Sequence, residues 1–385
     1  MKKILSFLLI AVVLIAPLSA SAQKSSFPTV KQIQSPQKPR LGFVIHGGAG
    51  VITRGSMSPE KELEYKKKLE EAVVAGYKAL QAGKTSLDAV EIAIRILEDS
   101  PLFNAGKGAV FNHDGINELD ASIMNGKDLS AGAVAGVHRV KNPITLARAV
   151  MEKSAHVMMI GDGAEKFAAE QKIELVDPKY FFTQERWDAL QKILEQEKLA
   201  SPKSQVLSPK SENQNPQLST QHSALSTPKV LSTSKALSTQ HLESTLDYNR
   251  FGTVGAVALD KDGNLAAGTS TGGMTNKKFG RVGDAPIIGA GTFASNESCA
   301  VSATGYGEYF IRLGVARDIS TMMEYRALPV QQAADSALEK VKKLGGDGGV
   351  IAIDKFGNIG ISFNSEGMYR AYIDINGKPV VEIYK

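Results

Sequence analysis

The stretch from residue 201 to 247 divides this chain in two. It contains no Phe, Trp or Tyr, is dominated by Ser, Thr, Gln and Pro, and repeats Leu-Ser-Thr at 218–220, 225–227, 231–233 and 237–239. Such a segment cannot bury enough apolar surface to offset the entropy of ordering it. The repeats are also too closely spaced for a stacked solenoid unit. The composition predicts a flexible linker, so the fold has to be assembled from two patterned pieces, one on each side.

In the first piece, Gly42 to Ile45 reads as a short apolar strand ending in a glycine-rich turn, His46-Gly47-Gly48-Ala49-Gly50. Ser58 and Pro59 then supply an N-cap and a first helical residue. Leu63, Leu69, Val73, Tyr77 and Leu80 carry the apolar face of that helix to Gly83, and a second helix runs from Thr85 or Ser86 to about Leu97. In the second piece, Thr253 to Leu259 and Asn264 to Ser270 read as a hairpin around Asp260-Lys261-Asp262-Gly263. Val350 to Ile353 and Asn358 to Phe363 repeat the device, with helical stretches between the hairpins near Glu308 to Leu313 and Val330 to Leu344. Hairpins mixed with helix pairs predict antiparallel sheets covered by helices.

The N-terminus reads as an export signal. Lys2 and Lys3 precede an apolar run from Ile4 to Ala16, and Ala20-Ser21-Ala22 supplies small residues for cleavage after Ala22. The run is too short for a comfortable membrane span, so the mature chain is expected in the periplasm or outside the cell, free of the membrane. One cysteine, Cys299, excludes an internal disulfide and a cysteine-based metal site. The net charge of +5 includes the two signal-peptide lysines, and no long basic run points to nucleic acid.

Some motifs mislead. Gly268-Thr269-Ser270-Thr271-Gly272 matches the nucleophile elbow of serine hydrolases, and His46-Gly47-Gly48 resembles an esterase oxyanion loop. That chemistry needs a histidine after the serine, and the last of the six histidines is His241. Nor does a helix follow Gly272, where Gly273-Met274-Thr275-Asn276 reads as a turn. Gly83-Lys84-Thr85 lacks the first glycine of a phosphate loop, and Gly289-Ala290-Gly291 has no helix opening behind it.

The junction at Gly252-Thr253 holds together better. A Thr at the start of a strand is ordinarily just a β-branched residue in a favourable place. The chemical alternative is a self-cut before Thr253. The freed α-amino group, with a reference pKa of about 7.7–8.0, would then act as base for the hydroxyl of its own residue. Gly252, without a Cβ, lets the scissile peptide adopt the geometry that brings the Thr253 hydroxyl to its carbonyl.

At this junction the chain resembles the isoaspartyl peptidase and plant-type L-asparaginase family of N-terminal-nucleophile hydrolases. The matching pieces are HGGAG at 46–50, PLFNAGKGAVF at 101–111, ELDASIMNG at 118–126, AGAVAGV at 131–137 and HVMMIGDGAE at 156–165. Past the linker they continue with GTVGAVALD at 252–260, GNLAAGTSTGGMTNK at 263–277, GRVGDAPIIGAG at 280–291 and FNSEGMYRA at 363–371. The resemblance implies an α+β fold, the four-layer αββα sandwich of the N-terminal-nucleophile hydrolases. It implies Thr253 as nucleophile, Thr271 as a second threonine that orients it, Thr304 and Gly305 as oxyanion hole, and Asn104 near the nucleophile from the other segment. Arg281 and Asp284 match the pair that holds the substrate's α-carboxylate and α-ammonium, with Gly305 and Gly307 where substrate packs on backbone. An Arg and an Asp on one glycine-containing loop suit a zwitterionic amino-acid head, although by itself such a pair reads as a surface salt bridge.

The same resemblance implies hydrolysis of β-aspartyl dipeptides and L-asparagine without a catalytic cofactor. A structural sodium ion is implied in the loop from Leu97 to Lys107, held by backbone of Leu97, Glu98, Ser100, Phe103, Ala105 and Lys107. The expected organisation is a signal peptide at 1–22, an extension at 23–40, a folded α subunit at 41–200, a linker at 201–252 and a β subunit at 253–385. Two such αβ pairs should associate as a dimer. Tyr306 stands where related bacterial enzymes often carry a smaller residue, which implies a narrower pocket, and the linker is longer than usual in the family. The rival readings are a glycosylasparaginase-like amidase, which also needs an aspartyl-head clamp, and a non-catalytic binding protein that kept the fold.

Overall fold

A computed structural model describes residues 33–55, 57–200 and 252–385. The export signal and the linker, apart from its last residue Gly252, lie outside the described residues. The fold is α+β and contains two sheets. Its elements begin with β1 (Ile33–Gln34), β2 (Gly42–Gly50), α1 (Pro59–Gln81), α2 (Ser86–Glu98), β3 (Leu119–Asn125), β4 (Ala131–Val137), α3 (Pro143–Lys153), β5 (Met158–Ile160), α4 (Gly161–Glu170) and α5 (Gln184–Ala200). After the linker come β6 (Val254–Leu259), β7 (Leu265–Thr271), β8 (Thr292–Ala294), β9 (Cys299–Gly305), α6 (Gly307–Leu313), α7 (Val315–Arg326), α8 (Val330–Lys343), β10 (Gly348–Asp354), β11 (Asn358–Phe363), β12 (Gly367–Ile373) and β13 (Pro379–Tyr384).

The local signals act as expected where short-range chemistry decides. Ser58 caps α1 by accepting from the Lys61 amide, with Pro59 in the first turn. Thr85 and Asp88 form a reciprocal capping box at the start of α2. One reading needs correction. The glycine run at 46–50 is the end of strand β2 rather than a turn. It stays extended because β12 pairs along it, with an irregularity between Tyr369 and Arg370, while β6 pairs with β2 only as far as His46. The two hairpins form, β6 with β7 and β10 with β11. One pair, β4 with β5, is parallel, an exception to the antiparallel rule. Residues 33–40, expected as an extension, are partly built in, because β1 adds to the edge of β11.

The larger sheet has eight strands in the order β13-β12-β2-β6-β7-β3-β4-β5, and the smaller has five in the order β1-β11-β10-β9-β8. The second chain piece thus inserts β6 and β7 between β2 and β3 of the first. Both faces of the larger sheet are buried. Phe43 and Ile45 point into one cluster with α1 and α2, whereas Val44 between them points into a second with β9, β10, α7 and α8. Strands β2, β6 and β7 meet β9, and β2 also meets β10. Helices α1, α2 and α3 pack on the larger sheet and α7 and α8 on the smaller.

Gly76 in α1 shows how tightly one layer is set. A Cβ there would lie 2.2 Å from Cε1 of Phe43, a side chain with no exposed surface. Alanine is the better helix former by about 1 kcal/mol, but a ring closed in on all sides cannot yield. Gly76→Ala is expected to destabilise the chain by about 1–3 kcal/mol. Urea unfolding of the uncut Thr253→Ala form checks this, with a raised midpoint as the contrary result.

Candidate functional site

The antiparallel register between β6 and β7 pairs Val254 with Ser270, which sets Thr253 across from Thr271. The Thr253 hydroxyl donates to Thr271 Oγ1 at 3.1 Å. Thr271 Oγ1 in turn accepts from the Gly273 amide at 3.0 Å. Asn104 clamps this corner from the other chain piece. Its side-chain amide donates to the Gly273 carbonyl at 2.7 Å, its backbone carbonyl accepts from the Gly272 amide, and its Oδ1 accepts from the Val110 amide.

Thr304, near the end of β9, comes from the smaller sheet. It is fully buried and its hydroxyl has no hydrogen-bond partner among the described residues. That hydroxyl lies 2.7 Å from where a Cβ on Gly252 would sit. The same added Cβ would collide with Gly48 and Ala49, so Gly252 is seated between β2 and Thr304 with room for a hydrogen only. Gly305 follows at φ +150, where an added Cβ would strike the Asp347 carbonyl and Gly348. His46 sits beside the Thr253 backbone. Burial pushes its imidazole down to about 3, against the opposing effect of that backbone, so the ring is neutral.

Arg281 and Asp284 occupy the loop between β7 and β8, and they differ from a simple ion pair. The Arg281 guanidinium makes two bonds to Glu308, Nε to Oε1 at 2.8 Å and Nη2 to Oε2 at 2.7 Å. Burial pulls the Arg281 pKa down, and Glu308, with Asp284 and Asp120, more than offsets it. Asp284 is 4% exposed, and its Oδ2 has no partner. Desolvation raises its carboxyl to about 7 against the pull of Arg281. Gly307 closes the group: a Cβ there would lie 2.8 Å from Arg281 Nη2 and 3.0 Å from Asp284 Oδ1. Tyr306, just before, packs on Tyr309 with ring centroids 5.2 Å apart.

Sequence reasoning missed Glu308 and Lys277. Glu308 reads as an ordinary acidic residue in a first helical turn, and only the packing of α6 onto the Arg281 loop gives it a partner. Lys277 is buried beside the site, its ammonium donating to the Glu118 carbonyl and lying 3.9 Å from Asp120 Oδ2. Asp120 pairs across the sheet with Thr271. Ser270, the decoy serine, points away and donates to buried Glu98 at 2.6 Å. Cys299 is buried and its thiol is pushed up to about 12, which leaves it inert.

The loop from Leu97 to Lys107 curls over the end of α2. The carbonyls of Phe103 and Ala105 each accept one amide. Gly106, at φ +50, lies against the Glu98 carbonyl, and Gly108 lies against those of Pro101 and Phe103. Each carbonyl keeps a second lone pair, and an all-oxygen donor set suits a hard cation.

With this geometry in place, comparison with known proteins decides the family. The asparaginase family pattern matches residues 39–383. This chain belongs to the asparaginase family. An isoaspartyl peptidase of Escherichia coli K12 is 47% identical over 345 residues, covering 89% of this chain and 96% of the relative. A plant-type L-asparaginase of Pyrococcus abyssi is 42% identical over 335 residues, covering 86% and 96%. An isoaspartyl peptidase/L-asparaginase of Rattus norvegicus is 40% identical over 339 residues, covering 88% and 87%. Within this asparaginase-family chain, the match begins at residue 39, inside the last two residues of the extension expected at 23–40.

The cradle at Gly307 yields a direct test. Gly307→Ala pushes a methyl group between Arg281 and Asp284 and is expected to weaken binding of L-aspartate at least roughly tenfold, as expected when a charged hydrogen bond is lost. Calorimetric titration reads this, and unchanged affinity would show that the head group binds elsewhere.

Proposed function

We infer that this chain is an isoaspartyl peptidase and L-asparaginase that cuts itself between Gly252 and Thr253. The observation that carries the reading is the meeting of three threonines from three strands at one junction. Thr253 donates to Thr271, and the unpaired Thr304 hydroxyl faces Gly252. A buried, partnerless hydroxyl costs about 1–3 kcal/mol, so a group that develops negative charge beside it is the natural partner.

In maturation, Thr253 Oγ attacks the Gly252 carbonyl and the peptide becomes an ester. Breaking the peptide C–N bond in that step frees the α-amino group of Thr253, and water then hydrolyses the ester to release the Gly252 carboxylate and restore the Thr253 hydroxyl. In turnover, that amine takes the hydroxyl proton as Oγ attacks the side-chain amide of the substrate. The Thr304 hydroxyl and the Gly305 amide hold the developing oxyanion. The amine returns the proton to the leaving ammonia or amino acid, and water releases aspartate from Thr253. Thr271 orients the nucleophile, and Asn104 holds the Gly272–Gly273 corner beneath it. Arg281, aimed by Glu308, takes the α-carboxylate, and the free Asp284 oxygen takes the α-ammonium. Gly307 leaves space for that head.

The sheets and helices are proposed to stack as an αββα sandwich, supported by helices on each sheet and strand contacts between the sheets. A sodium ion is proposed in the loop from Leu97 to Lys107, with the backbone of Leu97, Glu98, Ser100, Phe103, Ala105 and Lys107 as ligands and a purely structural role. Export, with a signal ending at Ala22, and assembly of two αβ pairs complete the proposal. The family match leaves the first 38 residues outside it, in accord with an added leader.

The purified protein should run as two bands. The smaller, residues 253–385, is about 14 kDa of the 41.1 kDa chain and should begin Thr-Val-Gly-Ala-Val on sequencing. Thr253→Ala should stay uncut and inactive. Arg281→Lys should still mature, since self-cleavage involves no free carboxylate. Its kcat/KM for β-aspartyl dipeptides should fall by roughly 1.5–3 kcal/mol. An Arg281→Lys enzyme with parental kinetics would reduce Arg281 to a surface cation.

Asp284 supplies a pH test. Because burial raises its carboxyl to about 7, it loses its charge as pH falls through that value. The ammonium then loses its counter-ion, so KM should rise on the acid side while remaining flat above pH 7. Asp284→Asn should have a high KM without this dependence. A parental KM that is flat across neutral pH sinks the assignment.

A further inference from the structure

A continuous row of polar side chains runs through the core between the two sheets. His46 Nε2 on β2 lies 2.9 Å from Ser302 Oγ on β9. Ser302 Oγ lies 2.7 Å from Thr269 Oγ1 on β7. Thr269 Oγ1 contacts the hydroxyl of Thr292 on β8 and donates to the Gly291 carbonyl at 3.1 Å. Thr292 Oγ1 lies 2.8 Å from Ser122 Oγ on β3, and Ser122 donates to the Ala285 carbonyl at 2.6 Å. All five side chains have no exposed surface. The row crosses from sheet to sheet at each step, since β2, β7 and β3 belong to the larger sheet and β9 and β8 to the smaller.

Its two ends lie at the two halves of the site. At one end, Ser302 Oγ and His46 Nε2 fill the space that a side chain on Gly255 would need. Gly255 is two residues from Thr253 and faces the same way. At the other end, Ala285 directly follows Asp284. The inner core beside these groups includes Val44, Val257 and Ala267, which lie on the same faces of β2, β6 and β7 as His46, Gly255 and Thr269.

Stability alone does not call for such a row. Replacing both partners of a buried hydrogen bond by apolar groups of the same shape is often neutral or stabilising. Apolar contact between sheets is non-directional, whereas a hydrogen-bonded chain admits one register. The register matters here because Thr253 and Thr271 ride on the larger sheet, while Thr304 rides on the smaller. We propose that His46, Ser302, Thr269, Thr292 and Ser122 form a positioning network that sets the distance between the Thr253 hydroxyl and the Asp284 clamp. This rests on the reading of Thr253 as nucleophile and Asp284 as ammonium site. None of the five touches substrate in that reading, and each acts through its neighbour.

The mature enzymes Ser302→Ala, Ser122→Ala, Thr269→Val and Thr269→Ser test the proposal on a β-aspartyl dipeptide. Misplacement of reacting groups by about 1 Å is enough to cost up to roughly a hundredfold. Ser302→Ala, at the Thr253 end, should lower kcat about tenfold and leave KM within about twofold. Ser122→Ala, at the Asp284 end, should raise KM about tenfold and leave kcat within about twofold. Thr269→Val should change both, and Thr269→Ser, which keeps the hydroxyl, should restore both. Parental kinetics throughout, or losses that follow only the fall in Tm, overturn the network. Crystal structures give a readout independent of turnover: the separation between Thr253 Oγ and the Asp284 carboxylate should change in Thr269→Val but not in Thr269→Ser. An unchanged separation overturns the network even in an active enzyme. A changed separation in a parent that hydrolyses nothing supports the network and discards the proposed activity instead.

Discussion

The backbone pairing of β6 is the constraint on which the rest depends. This strand starts directly after Thr253, and it enters the larger sheet between β2 and β7. With hydrogen-bonded partners on both sides, its register is over-determined, because a slip of one residue would turn every side chain to the wrong face. The register of Val254 with Ser270 and of Gly255 with His46 therefore fixes where Thr253 and Gly252 lie. Thr271 becomes the neighbour of the Thr253 hydroxyl, and Gly48 becomes the floor under Gly252. The glycines of β2 serve the same end. A side chain at Gly48 would occupy the place of the Gly252 backbone, so the chain can approach only where Cβ atoms are missing.

Around this ladder the site is assembled from parts with different energetics. The Thr253–Thr271–Asn104 corner is satisfied hydrogen bonding and costs the fold little. The positions proposed for the oxyanion and the clamp are the reverse: Thr304 Oγ1 and Asp284 Oδ2 are buried and without a partner among the described residues. Such groups are expensive in an inert scaffold. One lies beside Gly252 and the other on the loop where Arg281 is held by Glu308 of α6, an arrangement that favours an enzyme over a retained but silent fold.

Much of this was legible in the residues. The caps at Ser58 and Thr85, the two hairpins and the helices after β9 follow from short-range chemistry, which acts over three or four residues and leaves a local signature. The glycine run at 46–50 was misread for a related reason. Glycine weakens a strand locally, and only the pairing of β12 along this run keeps it extended, β6 reaching β2 no further than His46. The roles of Thr253, Arg281 and Asp284 came from motifs recognised as a family pattern rather than from periodicity or spacing.

What the sequence determined by itself was therefore local form and family: which segments are helix or strand, where the chain breaks into two pieces, and which motifs stand at Gly252–Thr253 and Arg281–Asp284. Only the tertiary structure decided which residues meet. Glu308 lies 27 residues from Arg281, and Ser122 is 163 residues from the Ala285 carbonyl it bonds. Contacts at such separations are set by strand order and by the facing of two sheets, and neither leaves a periodic trace in the chain. The same holds for burial. A histidine, two serines and two threonines read as unremarkable polar residues until the closing of one sheet on the other removes water from all of them and leaves them one another and nearby backbone carbonyls to bond.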